Sequence, residues 1–489
     1  MPAANHPPPS APRFFRILTF GCKVNQCDTA GISQELAGRG WLSAPPGLVA
    51  DLHLVNTCTV TGRADQQARQ AIRRLFREYP ATPIWVTGCY AQRAPEELAG
   101  LAGVAAVVGN SHKALAPEIA LRLTQSQPST DAASQPDIVR IQSILAQAGD
   151  SVLAPIWADD RFAHSFLEEA QLVPGAQTRP NLKIQEGCGN RCTFCVIPQT
   201  RGSSRSLPAA SVLKQLTGFV AAGGNELVLS GINLGRWGRD LSLLPDRDAE
   251  QPVPRTLPAL IKRIFHETAL PRLRLSSIEP MDWDGELIAL MAEFGGVRLA
   301  RHAHLPLQSG SDAVLRRMHR RYRPWHYEEK VRALVEAAGP ELTLGADVMV
   351  GFPGETDAEF EETLALVRNL PFGYLHLFPF SPRPGTRGWA LHAELPVAAQ
   401  AVEERMASLR ALASEKSKTH RRWFVGRELE AITLHTPAEL DSAGRTAALT
   451  ENFLPVELEG RLPANRLVRV RVSGLNAEGT LLAAGSNLV

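Results

Sequence analysis

The chain has 489 residues, 44% hydrophobic and 21% charged, a composition that fits a multidomain globular protein with a large buried core. Its 52 Lys and Arg against 50 Asp and Glu leave a net charge of +2, which excludes a strong overall field toward nucleic acid or membrane and makes any basic surface local. Seven cysteines are too few for a disulfide scaffold in a chain this long and point to a reducing, cytoplasmic setting with metal or redox use. No run of about 18 apolar residues occurs, so no membrane span is expected.

The opening MPAANHPPPSAPRFF is proline-rich and lacks an apolar h-region; it is not a secretory signal, and residues 1–13 are expected to be disordered. From Phe15 short apolar runs alternate with helical stretches. FRILTFGC reads as a strand, Asp28 to Gly38 as a helix, ADLHLVNTC as a strand and Ala64 to Tyr79 as a basic helix. PIWVTGC and VAAVVGN follow as strands, so a parallel α/β sheet is expected over residues 14–124. The first three strands each end at a cysteine: Cys22, Cys58 and Cys89. Ligands sit at the C-terminal strand ends of open α/β sheets, so three thiols far apart in sequence can converge there. Free cysteines are also commonly buried as small hydrophobes. The polar contexts GCKVNQ, NTCTVT and GCYAQ favour a ligand set, and Cys27, beside the helix, reads as structural.

Gln125 to Pro136, QSQPSTDAASQP, has a linker's composition, and a helix-prone stretch runs on to Thr178, so residues 125–178 read as a linker or insertion. A second α/β region, 179–415, opens with NLKIQEG. Its further strand candidates are ELVLSGI, LRLSSI, ARHAHLPL, TLGADVMVGF and YLHLFPF. Together they make about six βα units, a partial barrel. Ala401 to Arg422 forms an exposed helix, and residues 423–489 hold short strands separated by turn signals, a small all-β barrel or sandwich.

The second region carries CGNRCTFC, in which Cys188, Cys192 and Cys195 are spaced Cys-x3-Cys-x2-Cys with Phe194 as apolar cover. Three thiolates are one short of the set that holds a four-iron four-sulfur cluster, which leaves one iron open for chemistry. A zinc site would pair Cys-x2-Cys with a second Cys or His pair, and none lies nearby in sequence. The motif resembles that of the radical S-adenosylmethionine (SAM) superfamily.

Taken over its three regions, the chain resembles the radical SAM methylthiotransferases. The phrases TFGCKVNQ, VNTCTVTGRADQQARQAIRR, VTGCYAQ, SSIEPMDWDGELI and LPLQSGSDAVLRRMHRRY are most similar to the type acting on threonylcarbamoyladenosine at position 37 of tRNA. The resemblance implies two four-iron four-sulfur clusters. Cys188, Cys192 and Cys195 would hold the one that cleaves SAM, and Cys22, Cys58 and Cys89 the one that holds the sulfur to be transferred. It also implies a C-terminal TRAM-like module, a tRNA anticodon loop as partner, a reducing electron donor and a sulfur source. No catalytic side chain beyond the cluster ligands is implied. The chain departs from the family pattern at Gln199 and Thr200, where a bulkier pair is expected, at Cys27, where an aromatic is, and in its long interdomain segment.

Gly223, Gly224, Asn225 and Glu226 are expected to let backbone approach SAM, since glycine permits close approach, although a Gly-Gly pair also serves as an ordinary helix-ending loop. Ser277 and Glu279 are expected at a strand end where they can bond the SAM ribose. Val350 to Thr356 reads as a turn against the adenine of SAM, or simply as a helix start capped by Thr356. For RNA, the run Arg316, Arg317, His319, Arg320, Arg321 and Arg323 and the helical set Arg69, Arg73, Arg74 and Arg77 are the candidate basic faces. Two other readings remain at this stage: a methylthiotransferase acting on an aspartate of a ribosomal protein, and a non-enzymatic iron–sulfur or RNA-binding protein.

Overall fold

A computed structural model describes residues 12–119, 154–162, 178–241 and 254–488. These form two compact units: the chain up to residue 170 with Gln199–Gly202, and residues 171–198 with 203–489. The expected disorder of the N-terminus and the linker composition of Gln125 to Pro136 fall, apart from residues 12 and 13, outside the described residues.

The first unit is a parallel sheet of β1 (Arg13–Thr19), β2 (Trp41–Ser43), β3 (Leu52–Thr57), β4 (Ile84–Gly88), β5 (Val104–Gly109) and β6 (Ile156–Trp157), in the order β2-β1-β3-β4-β5-β6. Every residue of β3 and β4 is buried, as a parallel strand covered on both faces requires. Successive residues of β3 point to opposite cores. Leu54 packs with Phe15, Ile32, Leu36 and Trp85, while Val55 packs with Ala68, Ile72, Leu75 and Tyr90. The helices α1 (Lys23–Gly38) and α2 (Gly62–Glu78) supply those opposing apolar stripes, and Thr61 caps α2 by accepting from the Ala64 amide. Strand β6 lies in a stretch expected to be helix-prone. There Ile156 and Trp157 complete the outer edge of β5, pairing with Val107 and Val108.

In the second unit β7 (Asn181–Glu186), β9 (Glu226–Gly231), β10 (Arg272–Leu275), β11 (His302–His304), β12 (Thr343–Val350) and β13 (Phe372–Pro379) run parallel in chain order. The short β8 (Arg205–Ser206) runs antiparallel beside β7. The two ladders are stitched where Leu273 N donates to Arg298 O at 2.8 Å and Ile278 N to His304 O at 3.0 Å. The result is a six-stranded partial barrel with helices outside, three of them capped by Thr256, Asp284 and Thr356. The long helix Ala399–Arg422 lies along β13, and its His420 Nε2 meets Thr343 Oγ1 at 2.9 Å.

The chain ends in a closed barrel of β14 (Glu428–Thr433), β15 (Arg445–Thr450), β16 (Pro455–Glu459), β18 (Leu481–Leu488) and β17 (Leu467–Leu475). Val468, Val470 and Val472 point into it and Arg469 and Arg471 point out, the alternation a small barrel needs. No helix among the described residues is long and apolar enough to cross a membrane.

Candidate active site and metal centres

In the first unit three neighbouring strand ends bring Cys22, Cys58 and Cys89 together. Cys22 caps α1 just beyond β1, Cys58 follows β3, and Cys89 opens the helix Cys89–Arg93 directly after β4. The approach depends on two glycines in the left-handed region. Gly21 has φ +101°, and a Cβ there would stand 2.6 Å from Cys58 Cβ; at Gly88, φ +98°, it would stand 2.3 Å from Thr57 O. Burial pushes the Cys58 thiol up to about 12, reinforced by Cys89 and Cys22, while the Arg201 guanidinium favours its thiolate. Asn110 Nδ2 donates to Cys89 Sγ at 3.4 Å and to Thr200 O at 2.8 Å. Behind them Lys113 Nζ and Arg201 NH2 meet Asp28 Oδ2 at 2.6 and 3.1 Å, all three fully buried. The buried Cys58 thiol resists ionisation until a cation takes the place of its proton, and three thiols gathered at one place make a donor set that fits an iron–sulfur cluster. Cys27 lies in the body of α1, half-buried.

In the second unit Cys188, Cys192 and Cys195 lie on the loop after the C-terminal end of β7. Gln185, fully buried, shapes that loop. Its Nε2 donates to Gly187 O at 2.8 Å, and its Oε1 accepts from Asn233 N at 2.7 Å. Asn233 then turns its Nδ2 to Cys188 Sγ at 3.6 Å. Burial pushes the Cys195 thiol up to about 12, opposed by the Ile197 amide and reinforced by the other two cysteines. Arg320 NH1 donates to Cys192 Sγ at 3.3 Å, and its NH2 pairs with the Glu279 carboxylate. Phe194 meets Phe352 edge to face at 6.5 Å, so apolar cover is present. These thiols and the donors aimed at them fit a cluster in the same way.

Two expectations need correction. Gly223, Gly224, Asn225 and Glu226 stand at the N-terminal end of β9, whereas the cysteine loop leaves the C-terminal end of its parallel neighbour β7. A strand of that length separates the two by roughly 20 Å. Glu226 is instead a buried counter-ion, 2.9 Å from Arg274 Nε and 3.3 Å from Arg272 NH1. Asn225 Nδ2 donates to Asn465 O of the C-terminal barrel at 2.8 Å. The residue on the cluster side of β9 is Asn233, in the LSGIN that follows the strand, which the strand-end rule points to. The run around Arg320 is only partly a basic face: His319 and Arg321 are exposed, but the others are engaged. Arg320 is buried on Cys192 and Glu279, Arg317 is bidentate on Glu359, and Arg316 and Arg323 pair with Asp312. Arg73, Arg74 and Arg77 on α2 remain exposed, while Arg69 is half-buried on Tyr90. Thr356 does form a capping box with Glu359, and Gly351 and Gly354 take φ of +75° and +72° in the turn before it.

Ser277 and Glu279 lie past the C-terminal end of β10, on the cluster side. Ser277 Oγ meets His304 Nδ1 at 2.9 Å and leads into a polar patch that the sequence did not reveal. On one face of β11, β12 and β13, His304 Nε2 and His376 Nδ1 stand 3.4 and 3.3 Å from the same oxygen of Asp347. Burial pushes the Asp347 carboxyl up, but the two imidazoles beside it outweigh that and hold the group well below the usual carboxylate range. Toward the N-terminal strand ends, His302 Nε2 bonds Tyr374 OH at 2.8 Å. Phe453 of the C-terminal barrel lies 4.3 Å from the His302 ring and closes this end of the lumen.

Residues 15–109 match an uncharacterized protein family, UPF0004, and residues 182–367 match the radical SAM superfamily. A threonylcarbamoyladenosine tRNA methylthiotransferase MtaB of Bacillus subtilis is 33% identical over 93% of this chain and 92% of its own; that of Aquifex aeolicus is 32% identical over 93% and 98%. A tRNA-2-methylthio-N(6)-dimethylallyladenosine synthase of Parafrankia is 32% identical over 97% and 86%. Among solved structures, the radical SAM methyltransferase TsrM of Kitasatospora setae matches with TM-score 0.51 and 14% identity, covering 78% of each chain, a likeness of fold. Two converging cysteine triads, a six-stranded partial barrel and end-to-end similarity to these relatives show that the chain belongs to the radical SAM methylthiotransferases, of the MtaB-like type.

Proposed function

We propose that this enzyme adds a methylthio group to carbon 2 of N6-threonylcarbamoyladenosine at position 37 of tRNA, in the cytoplasm. The observation that carries the reading is the presence of two separate three-thiol centres in a chain similar along its whole length to threonylcarbamoyladenosine methylthiotransferases. Replacing an unactivated aromatic C–H is beyond acid–base side chains at neutral pH. When bound, two four-iron four-sulfur clusters and SAM supply the radical chemistry and the transferable sulfur.

The chain's own residues hold and shelter that chemistry. Cys188, Cys192 and Cys195 are the thiolates of the SAM-cleaving centre, and Cys22, Cys58 and Cys89 those of the sulfur-carrying one. Asn233, Arg320 and Asn110 donate to sulfur, the hydrogen bonds a cluster's thiolates accept. Phe194 and Phe352 keep water from the SAM-cleaving centre. Ser277 and Glu279 follow β10 on the cluster side of the barrel, which supports assigning them to SAM contact. Arg73, Arg74 and Arg77 on α2 offer phosphate contacts. A reducing partner and a sulfur donor complete the cycle.

The test is to incubate the anaerobically reconstituted protein, SAM and a reductant with tRNAs carrying threonylcarbamoyl- or isopentenyladenosine, and to analyse the nucleosides by mass spectrometry. Methylthiolation of the threonylcarbamoyl nucleoside is expected. Product only on the isopentenyl tRNA, or only on a ribosomal protein, overturns the reading.

A further inference from the structure

The relatives include enzymes named for two chemically different adenosines, at 33% and 32% identity, so a small number of residues must tell the two substituents apart. The substituent on one is a urea-linked threonine, with N–H groups, a hydroxyl and a carboxylate; on the other it is an apolar dimethylallyl group. The barrel lumen is where they would be told apart.

Its strands β11, β12 and β13 could present any residues on the inner face, and they present His302, His304, Asp347, Tyr374 and His376. The opposite face of β12 carries Leu344, Ala346, Val348 and Val350, all at most 1% exposed, which is ordinary helix-facing core. The polar set lies on the side away from it. Gly345 makes room: a Cβ there would stand 2.1 Å from Tyr374 Cζ, so the ring occupies the space that a side chain at 345 would take, two residues along the same face from Asp347. His304 Nε2 is buried and makes no hydrogen bond of good geometry, although Asp347 is 3.4 Å away. His376 is 63% exposed at the side chain and Asp347 27%, so the patch is open on the side where a ligand would enter. Phe453 closes the opposite end.

We propose that Asp347, His304 and His376, with Tyr374 beside them, form the subsite for the polar threonylcarbamoyl substituent, and so set the enzyme's choice of modified adenosine. This inference rests on the function proposed above. The Asp347 carboxylate accepts from the urea N–H groups or the threonine hydroxyl, and the two imidazoles and the phenol donate to the threonine carboxylate. A dimethylallyl group placed here would leave these polar groups dehydrated and unpaired. That is the asymmetry by which sites built for hydrogen bonding reject apolar analogues strongly. Ser277, bonded to His304 Nδ1, fixes which imidazole nitrogen faces the lumen.

The same two nitrogens and one carboxylate oxygen lie within 4.8 Å of one another, a spacing a divalent cation could also use, so the experiment includes a metal count. The reconstituted holoprotein, with SAM present, is titrated with anticodon stem-loops carrying threonylcarbamoyladenosine, isopentenyladenosine or plain adenosine at position 37. The wild type is expected to prefer the threonylcarbamoyl loop over plain adenosine by about 30-fold or more, and His376→Phe and Asp347→Asn to bring that ratio within about threefold. Affinity for the plain loop serves as the folding control, since a misfolded variant loses both. A preference that survives both substitutions overturns the subsite. So does a stoichiometric non-iron metal in the wild-type holoprotein that His376→Phe abolishes, because the triad is then a cation site. A wild type that prefers the isopentenyl loop removes instead the function on which the subsite rests.

Discussion

Single side chains divide the two metal centres from everything around them. Replacing Cys188, Cys192 and Cys195 together is expected to lower iron from about eight to about four per chain, the content of one four-iron cluster; colorimetric iron on anaerobic protein decides it. Gly21→Ala is expected to give the same half loss from the other centre, because the new methyl must occupy space taken by Cys58 and the backbone sits at φ +101°. Cys27→Ser, in the body of α1, is expected to leave iron unchanged. Arg320 offers a sharper distinction. Read from sequence it belongs to an RNA-binding face; in the fold it is buried between Cys192 and Glu279. Arg320→Met is therefore expected to reduce iron at the SAM-cleaving centre while tRNA affinity and its salt dependence stay within about twofold. A steep loss of tRNA binding with full iron would restore the surface reading.

At the scale of elements, α2 and the helix Ala399–Arg422 carry separable properties. Charge reversal of Arg73, Arg74 and Arg77 is expected to weaken tRNA binding and to flatten its log–log salt dependence by about one unit of slope for each phosphate no longer neutralised. Fluorescence titration across salt concentrations measures both. His420 bears on acid stability. Burial, with the charge of Arg421 second, lowers its pKa from 6.5 to about 4. The unfolded chain therefore binds a proton that the folded chain refuses. Stability is full above about 6.5, falls as the pH drops toward about 4, and levels off below. His420→Gln, which can keep the bond to Thr343, is expected to flatten the dependence of Tm across that window; an unchanged slope assigns it to other groups.

Elements were also where the sequence was most legible. The strands that end in cysteines announced the first sheet and its centre, because a parallel strand buried on both faces is a continuous apolar run and ligands gather at its end. The Gly-Gly before β9 misled for a related reason: a loop motif does not say which end of the strand it occupies, and here it lies at the N-terminal end, beside Asn465. The lumen patch was illegible because His304, Asp347 and His376 come from three strands separated by long helices, and only the register Asp347↔His376 brings them together. Two-residue β6 carried too short a pattern to be seen.

For the whole molecule, the C-terminal barrel acts as the floor of the second unit. Its Glu451 holds Arg301 at 2.7 Å, its Thr450 carbonyl takes Arg274 at 3.2 Å, and Phe453 covers the lumen. Removing residues 424–489 takes Glu451 from half-buried Arg301 and the Thr450 carbonyl from buried Arg274, which keeps Glu226, and uncovers the lumen, which is destabilising. The truncated protein is expected to show a lower Tm and to lose iron from the Cys188 centre even without tRNA. A truncation that keeps its Tm and iron and loses only tRNA affinity would make the barrel an independent binding module.

The four residues Gln199–Gly202 belong to the first unit although they are encoded after the SAM-cleaving triad. Their Arg201 and Thr200 fill buried places on Asp28 and Asn110. During translation these places are still unfilled when the first 170 residues have emerged; they wait for residue 202, about 2 to 6 seconds later at ordinary elongation rates. For that interval Asp28 and Asn110 stand beside the nascent thiols before Arg201 and Thr200 reach them. The consequence reaches into ancestry as well as biosynthesis. A gene fusion that joined residues up to 170 to a different barrel would deliver a first unit whose Asp28 and Asn110 lack the partners that Arg201 and Thr200 supply here.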